Sequence, residues 1–381
     1  MIEVVFSNAR LVLANEVVDG DLLVRDGLIV DISSGSKYRS GSLDCDSDYL
    51  IPGLIELHTD HLEAHFKPRP KVFWPAEAAV PAHDAQIAAS GITTVFDALR
   101  IGTTKGDDIS IGSKSRQLAQ AIGEAKAADC LRADHLLHLR CELACEDTAR
   151  DAETFLGDPN LRLISLMDHT PGQRQFTRIA KFREYYGGKS GMSEPDMTAY
   201  IAERQESHQR YAVPNRRCVV NMAKERSIPL ASHDDATLAH VEEAVEDGVS
   251  IAEFPTTVEA ATASRSHGLS VLMGAPNVVR GGSHSGNVSA QALAELDLLD
   301  VLSSDYVPSS LLHAAFELSR RVSSIDVPSA MRLVTLNPAR AACLEDRGEI
   351  VVGKRADLVR VHADAAVPVV RSVWREGRRV A

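Results

Sequence analysis

The sequence predicts an α/β fold, a (β/α)₈ TIM barrel with a small β-sandwich domain formed from both termini. The chain has 381 residues. A typical barrel needs roughly 250 residues, so one large and one small domain fit this length. Strand-like and helix-like segments alternate through the middle of the chain, which is typical of a parallel sheet, whereas both ends contain short strands only. We therefore assign 1–50 together with 345–381 to the β-sandwich domain, and 51–344 to the barrel.

The barrel strands are predicted from short apolar runs that polar or turn-forming residues interrupt. Eight runs follow one another, at Gly53–His58, Ile92–Leu99, His135–Leu143, Leu161–Met167, Ile228–Ser232, Ser250–Phe254, Leu269–Met273 and Val301–Ser304. Helical patterns lie between most of them, for example at Ala78–Ser90, Ser115–Ala127, Ala236–Asp247 and Val258–His267. The long polar stretch Arg178–Arg217 is predicted to be an insertion with helices after the fourth strand.

The two ends of the chain show short strands separated by Asn, Gly and Asp, residues that favour turns. The predicted strands are Glu3–Phe6, Arg10–Leu13, Asp21–Val24 and Leu28–Ile32 at the first end, and Glu349–Val352, Asp357–His362 and Ser372–Arg375 at the second. Because the two ends share this pattern and the middle does not, we expect them to fold together.

Composition excludes several classes of protein. The formal net charge of −12 argues against a general nucleic-acid or membrane surface, since both are anionic. No apolar run approaches the roughly 18 residues of a membrane span, and the first residues lack a signal-peptide pattern, so we expect a cytoplasmic protein. The six cysteines form no CxxC pair and are expected to be free thiols. We expect a homo-oligomer, a dimer.

Histidines and carboxylates fall at the ends of five predicted barrel strands. Any one of them alone is most simply explained as a helix cap or a satisfied polar residue. In a (β/α)₈ barrel, however, the carboxyl ends of the strands meet at one mouth, where active sites are built. Imidazole and carboxylate groups are ligands for zinc and similar divalent ions. The ionisable residues at these strand ends are His58, Asp60 and His61, Glu142, Asp168 and His169, His233, Asp234 and Asp235, and Asp305.

These ligand-type residues are more than one tetrahedral ion needs, so two divalent ions are expected, with Glu142 bridging them. Zinc fits this ligand set, and manganese and iron fit it as well. Two such ions activate water for hydrolysis, and Asp305 is then the expected general base. The sequence thus predicts a metal-dependent hydrolase.

A glycine-rich segment after the seventh strand carries groups suited to an anionic phosphorylated small molecule. Backbone N–H groups next to glycine, together with Arg and His, can contact phosphate oxygens. The predicted contacts are Asn277, Arg280, Gly281, Gly282, Ser283 and His284, with Arg174, Lys67 and Arg69 as further cations. For each of those three cations alone, a solvated surface charge explains the residue equally well.

Three sequence segments of this chain resemble the amidohydrolase superfamily. They are the entry into the first barrel strand, Pro52–His58, and the closing segments Leu336–Arg340 and Gly353–Val359. The resemblance implies a metal-dependent hydrolase barrel accompanied by a small β-sandwich made from both ends of the chain. The superfamily usually shows His-x-His on the first strand, whereas this chain has Asp60 in the second position.

Longer strings resemble one family within it, the diphosphatases of phosphonate metabolism in the carbon–phosphorus lyase pathway. They include HTDHLEAHFKPRPKVFWP at 58–75, MDHTPGQRQF at 167–176, AEFPTT at 252–257 and GAPNVVRGGSHSGN at 274–287. This resemblance implies hydrolysis of α-D-ribose 1-methylphosphonate 5-triphosphate to the 5-phosphate and pyrophosphate. It implies that the metal pair is held by His58, Asp60, Glu142, His169, His233 and Asp305. His61 departs from it, because an Asn is expected there.

Two other functions are compatible with the sequence. A hydrolase of the same fold could act on a cyclic amide or an N-acyl group, although an uncharged amide does not require the cationic segment around Arg280. A barrel without catalysis could instead serve as a binding protein or scaffold. Relatives that lose catalysis lose metal ligands, however, and this chain keeps the ligand-type residues at its strand ends.

Overall fold

The computed structural model describes residues 3–35, 41–103, 111–176, 179–180, 182–183, 192–283 and 286–381. Eight strands form one parallel sheet in which spatial order follows chain order, from β6 to β13. Their bounds are β6 Leu54–Thr59, β7 Ile92–Ile101, β8 Asp134–Glu142, β9 Leu161–Met167, β10 Leu230–His233, β11 Ile251–Glu253, β12 Ser270–Gly274 and β13 Val301–Ser303. The predicted (β/α)₈ barrel is confirmed.

The first and last barrel strands contact each other. Thr59, which ends β6, forms a parallel bridge with Asp305, two residues beyond β13. Every residue of β6 is buried. This is expected of a parallel strand covered on both faces, and it explains why the barrel strands read as continuous apolar runs.

A second sheet consists of strands from the two ends of the chain. It runs β16–β15–β14–β5–β1–β2–β3, with β4 paired to β1. The bounds are β1 Glu3–Val12, β2 Val17–Arg25, β3 Leu28–Ser34, β4 Leu43–Asp44, β5 Tyr49–Pro52, β14 Leu358–His362, β15 Val369–Arg375 and β16 Arg378–Arg379. Phe6 and Trp374 pack edge to face in its core, 4.8 Å between ring centroids. The boundaries 1–50, 345–381 and 51–344 stay a prediction.

Two details of the predicted strands were wrong. The first two predicted strands are one, β1, which contains an irregularity where Asn8 takes a positive φ of 55°. The predicted strand Glu349–Val352 is not a strand, because Val351 and Val352 are exposed and find no pairing partner among the described residues.

Twelve α-helices have both ends within the described residues. They are α1 His61–Phe66, α2 Ala76–Ala89, α3 Ile111–Ala127, α4 Thr148–Glu153, α5 Glu194–Arg226, α6 Leu238–Asp247, α7 Val258–Ser266, α8 Ala275–Arg280, α9 Ala290–Glu295, α10 Ser310–Arg321, α11 Val327–Arg332 and α12 Leu336–Ala341. The longest, α5, starts at the N-cap Ser193 and continues beyond the predicted end of the insertion at Arg217. No helix among the described residues is long and apolar enough to cross a membrane.

The chain packs as two compact units. One comprises Met1–Asp97, Ala121–Leu136 and Met273–Ala381, and the other comprises Ala98–Gln120 and Leu137–Leu272. The first contains β6, β13 and the second sheet. The second contains β9, β10, β11 and the long helix α5. The predicted site residues are divided between them, and each group is described within its own unit.

Candidate metal centre

Glu142 and His169 form a buried carboxylate–imidazole pair in the second unit. Glu142 ends β8 and is fully buried, and His169 follows the end of β9. The His169 backbone N–H donates to Oε1 of Glu142 at 3.0 Å, and Nδ1 donates to Oε2 at 2.6 Å. Burial alone would raise the pKa of Glu142, but His169 and Arg204 outweigh it and hold that pKa well below its usual range. Glu142 is therefore ionised, and Nε2 of His169 remains available to a ligand.

His233 is held in the same way by a second carboxylate. Nδ1 of His233 lies 3.1 Å from Oε2 of Glu253, which is fully buried at the end of β11. The two residues are directly paired in the β10–β11 ladder. Ser165 donates to the same Oε2 at 2.7 Å. A carboxylate bonded to Nδ1 fixes the tautomer in which Nε2 carries the lone pair, the arrangement found around metal-binding histidines.

Asp234 completes a cluster with these two imidazoles. Its buried Oδ2 has no hydrogen-bond partner and lies 3.7 Å from Nε2 of His169 and 3.6 Å from Nε2 of His233. The backbone of Asp234 has a positive φ of 58°, a strained conformation outside glycine that is common at functional sites. One carboxylate oxygen and two ring nitrogens within 4.8 Å of one another can hold a divalent ion.

Three other predicted ligands, His58, Asp60 and Asp305, lie in the first unit. His58 is buried near the end of β6, and Ser303 of β13 donates to its carbonyl oxygen at 2.5 Å. Thr59 donates through Oγ1 to the carbonyl oxygen of Asp305 at 2.6 Å. Asp305 also has a positive φ, 54°. These bonds place the predicted ligands of strands one and eight side by side.

The segment predicted to bind phosphate is partly helical. Residues 275–280 form α8, and Gly281 ends it with φ 81°. Arg280 is exposed, and no described carboxylate pairs with it. Asn277 accepts a bond from the backbone N–H of Ala290 at 3.0 Å, so its side chain also anchors the next helix. Gly282 and Ser283 follow within the described residues, whereas His284 lies outside them.

The other predicted cations differ in their surroundings. Arg174 is buried and paired with Asp235 and, at 2.7 Å, with Glu243. Its guanidinium already has carboxylate partners, and its contact with substrate stays a prediction. Lys67 lies at the end of α1, its Nζ 5.9 Å from the ring centroid of Phe73, and Arg69 is exposed in the loop that follows.

The amidohydrolase family matches residues 219–381. The alpha-D-ribose 1-methylphosphonate 5-triphosphate diphosphatase of Escherichia coli strain K12 is 49% identical over 379 residues, which is 99% of this chain and 100% of that protein. The chain is an amidohydrolase of this diphosphatase's family.

Solved amidohydrolase-like structures share the fold over the full chain. The 5-methylcytosine deaminase from Klebsiella pneumoniae superposes with a TM-score of 0.66 at 14% identity, covering 99% of this chain and 97% of the other. The N-acetyl-D-glucosamine-6-phosphate deacetylase from Mycobacterium smegmatis gives 0.63 at 15% identity, covering 99% and 100%. At such low identity these likenesses establish the architecture only.

Two residues of this candidate centre, Asp234 and Glu253, are absent from the ligand set that the resemblance implies. Asp234 directly follows the predicted ligand His233, and Glu253 lies inside the predicted sixth strand. A carboxylate within an otherwise apolar strand was the available signal for Glu253, since a buried charge needs a partner or a metal.

Proposed function

We propose that this amidohydrolase hydrolyses α-D-ribose 1-methylphosphonate 5-triphosphate to the 5-phosphate and pyrophosphate in phosphonate catabolism. The observation that carries the proposal is the 49% identity to the Escherichia coli diphosphatase over the whole length of both proteins. The fold and the His–carboxylate cluster of the second unit are compatible with it.

We further propose two divalent ions, zinc in the first instance, with manganese or iron as the alternatives. His58, Asp60, Glu142, His169, His233 and Asp305 would hold them, and Asp234 joins this set because its buried oxygen faces His169 and His233 without a hydrogen-bond partner. When bound, such ions polarise a phosphoryl oxygen and make water more acidic.

The roles of the protein groups follow from their surroundings. Glu253 and Glu142 hold the imidazoles of His233 and His169 through Nδ1, so the proton sits on that atom. Asp305 is proposed to accept the proton of the attacking water at its carboxylate. Arg280 is exposed and not paired with any described carboxylate, and we assign it to the oxygens of the triphosphate.

Pyrophosphate release tests this proposal. The metal-loaded protein is incubated with the ribose 5-triphosphate substrate, and a panel of cyclic amides and N-acyl compounds is run beside it. We expect pyrophosphate in stoichiometric amount with the sugar 5-phosphate. His233→Ala should abolish release, whereas His267→Ala, which removes an exposed histidine at the end of α7, should not. Turnover of an amide by a metal-loaded protein that releases no pyrophosphate would exclude the diphosphatase function.

The cytoplasmic location and the dimeric state expected from the sequence stay predictions. Sedimentation of the purified chain measures the second directly.

A further inference from the structure

Three histidines of the first unit come together between two helices. His61 and His65 lie one turn apart on α1, and His83 lies on α2. Their ring centroids are 5.0 Å apart for the first two, 5.7 Å for His61 and His83, and 6.0 Å for His65 and His83. One ring nitrogen from each lies within 4.8 Å of those of the other two.

Each of these imidazoles has one buried ring nitrogen without a hydrogen-bond partner. The atoms are Nε2 of His61, Nε2 of His65 and Nδ1 of His83. His83 is fully buried, so its Nδ1 has no access to bulk water. Buried polar atoms are normally satisfied, and a group of three that is not indicates a bound species.

The other ring nitrogens determine which nitrogen carries the lone pair. Nδ1 of His61 lies 3.2 Å from the carbonyl oxygen of Tyr306, to which it can only donate. Nε2 of His83 lies 2.9 Å from the carboxylate of Asp97. In both residues the proton is therefore on the bonded nitrogen, and Nε2 of His61 and Nδ1 of His83 carry bare lone pairs. An imidazole bound to a carboxylate on one nitrogen is the usual support of a metal ligand on the other.

Asp97 is itself positioned by a further buried pair. Its second oxygen accepts from Nδ1 of His135 at 2.7 Å, and Nε2 of His135 contacts Asp84 at 3.3 Å. This chain of buried groups fixes the orientation of His83 from behind. A side chain that only filled space in the core would not need such support.

We propose that His61, His65 and His83 bind a divalent transition-metal ion, in addition to the ions at the strand ends. Three neutral imidazoles suit zinc and its neighbours, cobalt and nickel, and do not suit magnesium or calcium, which prefer oxygen. Three protein ligands leave a fourth position of a tetrahedral ion open. The ion would join α1 to α2 directly before Lys67 and Arg69, and so fix the start of the loop that carries these cations.

Cobalt binding to the chelator-treated full chain tests the site, because tetrahedral cobalt is coloured. The matched set is wild type, His65→Gln, His83→Gln and the control His267→Gln, which also removes one imidazole. We expect both site variants to bind one ion fewer than wild type, and the control to bind the same number. His65 is only partly buried, so its variant should fold even if His83→Gln does not.

A second set separates this site from the strand-end ions. The double variant His169→Ala, His233→Ala should retain one tightly bound cobalt ion, and adding His65→Gln should remove it. This result is independent of whether the protein is a diphosphatase. Equal cobalt counts in wild type and folded His65→Gln would overturn the proposal, since the three nitrogens would then be satisfied by water.

Discussion

Glu253 accepts a hydrogen bond from Nδ1 of His233 at 3.1 Å, across directly paired positions of β10 and β11. Because the carboxylate fixes the imidazole from behind, Glu253→Gln should lower metal affinity about 10- to 100-fold without abolishing binding. Competition with a chelator measures this. Glu259→Gln, an exposed carboxylate on α7, is the control and should leave the affinity unchanged. An affinity equal to wild type in Glu253→Gln would show that the bond does not support a ligand.

The sequence located the C-terminal ends of the barrel strands to within about two residues, but it could not show which groups face each other. Runs of apolar residues predict barrel strands, and the barrel rule places His169 and His233 at one edge. The pairing of His233 with Glu253 depends on the register of two strands, and sequence spacing does not contain that information. The same holds for Arg174, whose partners Asp235 and Glu243 lie far along the chain.

The cluster of His61, His65 and His83 was beyond sequence reasoning for a related reason. Spacing places His61 and His65 on one face of a helix, but His83 lies on another helix, and only packing of α1 on α2 brings it near. Near the second end of the chain, a short apolar run before the turn residue Gly353 predicted a strand at Glu349–Val352. A strand also needs a neighbour, and no described strand pairs there.

The ion count at the strand ends depends on Glu142. We expect two divalent ions per chain there, and fewer than two in Glu142→Ala, because a bridging carboxylate contacts both ions. Elemental analysis should be carried out in the His65→Gln background, so that the site between α1 and α2 does not contribute. The control is Glu146→Ala, an exposed carboxylate in the loop after β8. A count that Glu142→Ala leaves at two would defeat the bridging role.

Arg280→Ala should lower kcat/KM more than kcat. The guanidinium is exposed and not paired with any described carboxylate, so its loss costs substrate binding as well as transition-state stabilisation. Steady-state kinetics with the triphosphate substrate separate the two constants. Arg371→Ala on β15 changes the net charge equally and should have no effect. Equal kinetics for the two variants would remove Arg280 from the binding site.

Asp134 contributes to stability in a pH-dependent way. Burial opposes ionisation, but Arg347 at 2.8 Å and Lys126 at 2.9 Å outweigh it and hold the pKa of Asp134 well below its usual range. Asp134→Asn should therefore lower the free energy of unfolding at pH 7 by roughly 1.5–3 kcal/mol.

A depressed folded-state pKa stabilises the protein fully above the unfolded value of about 3.9, and the gain is lost as pH falls toward the folded value. The difference in unfolding temperature between wild type and Asp134→Asn should thus be constant from pH 7 to pH 5, and shrink below about pH 4. Thermal unfolding across that range measures it, with the exposed Asp31→Asn as control. A difference that grew on acidification would contradict the ion-pair origin.

Hydrolysis in ¹⁸O-water identifies the phosphorus that water attacks. Attack at the α-phosphorus makes pyrophosphate the leaving group, whose charge Arg280 can hold, and places the label in the sugar 5-phosphate. Asp305 lies beside the end of β6 through the Thr59 contact. Asp305 is the proposed proton acceptor, so Asp305→Asn should lower kcat about 10²- to 10⁴-fold. If Asp305 is also a metal ligand, the loss should be larger. Metal analysis of the same variant separates the two effects. Label in the pyrophosphate alone would mean that water attacks the β-phosphorus. The role of Asp305 as proton acceptor for attack at the α-phosphorus would then have to be abandoned.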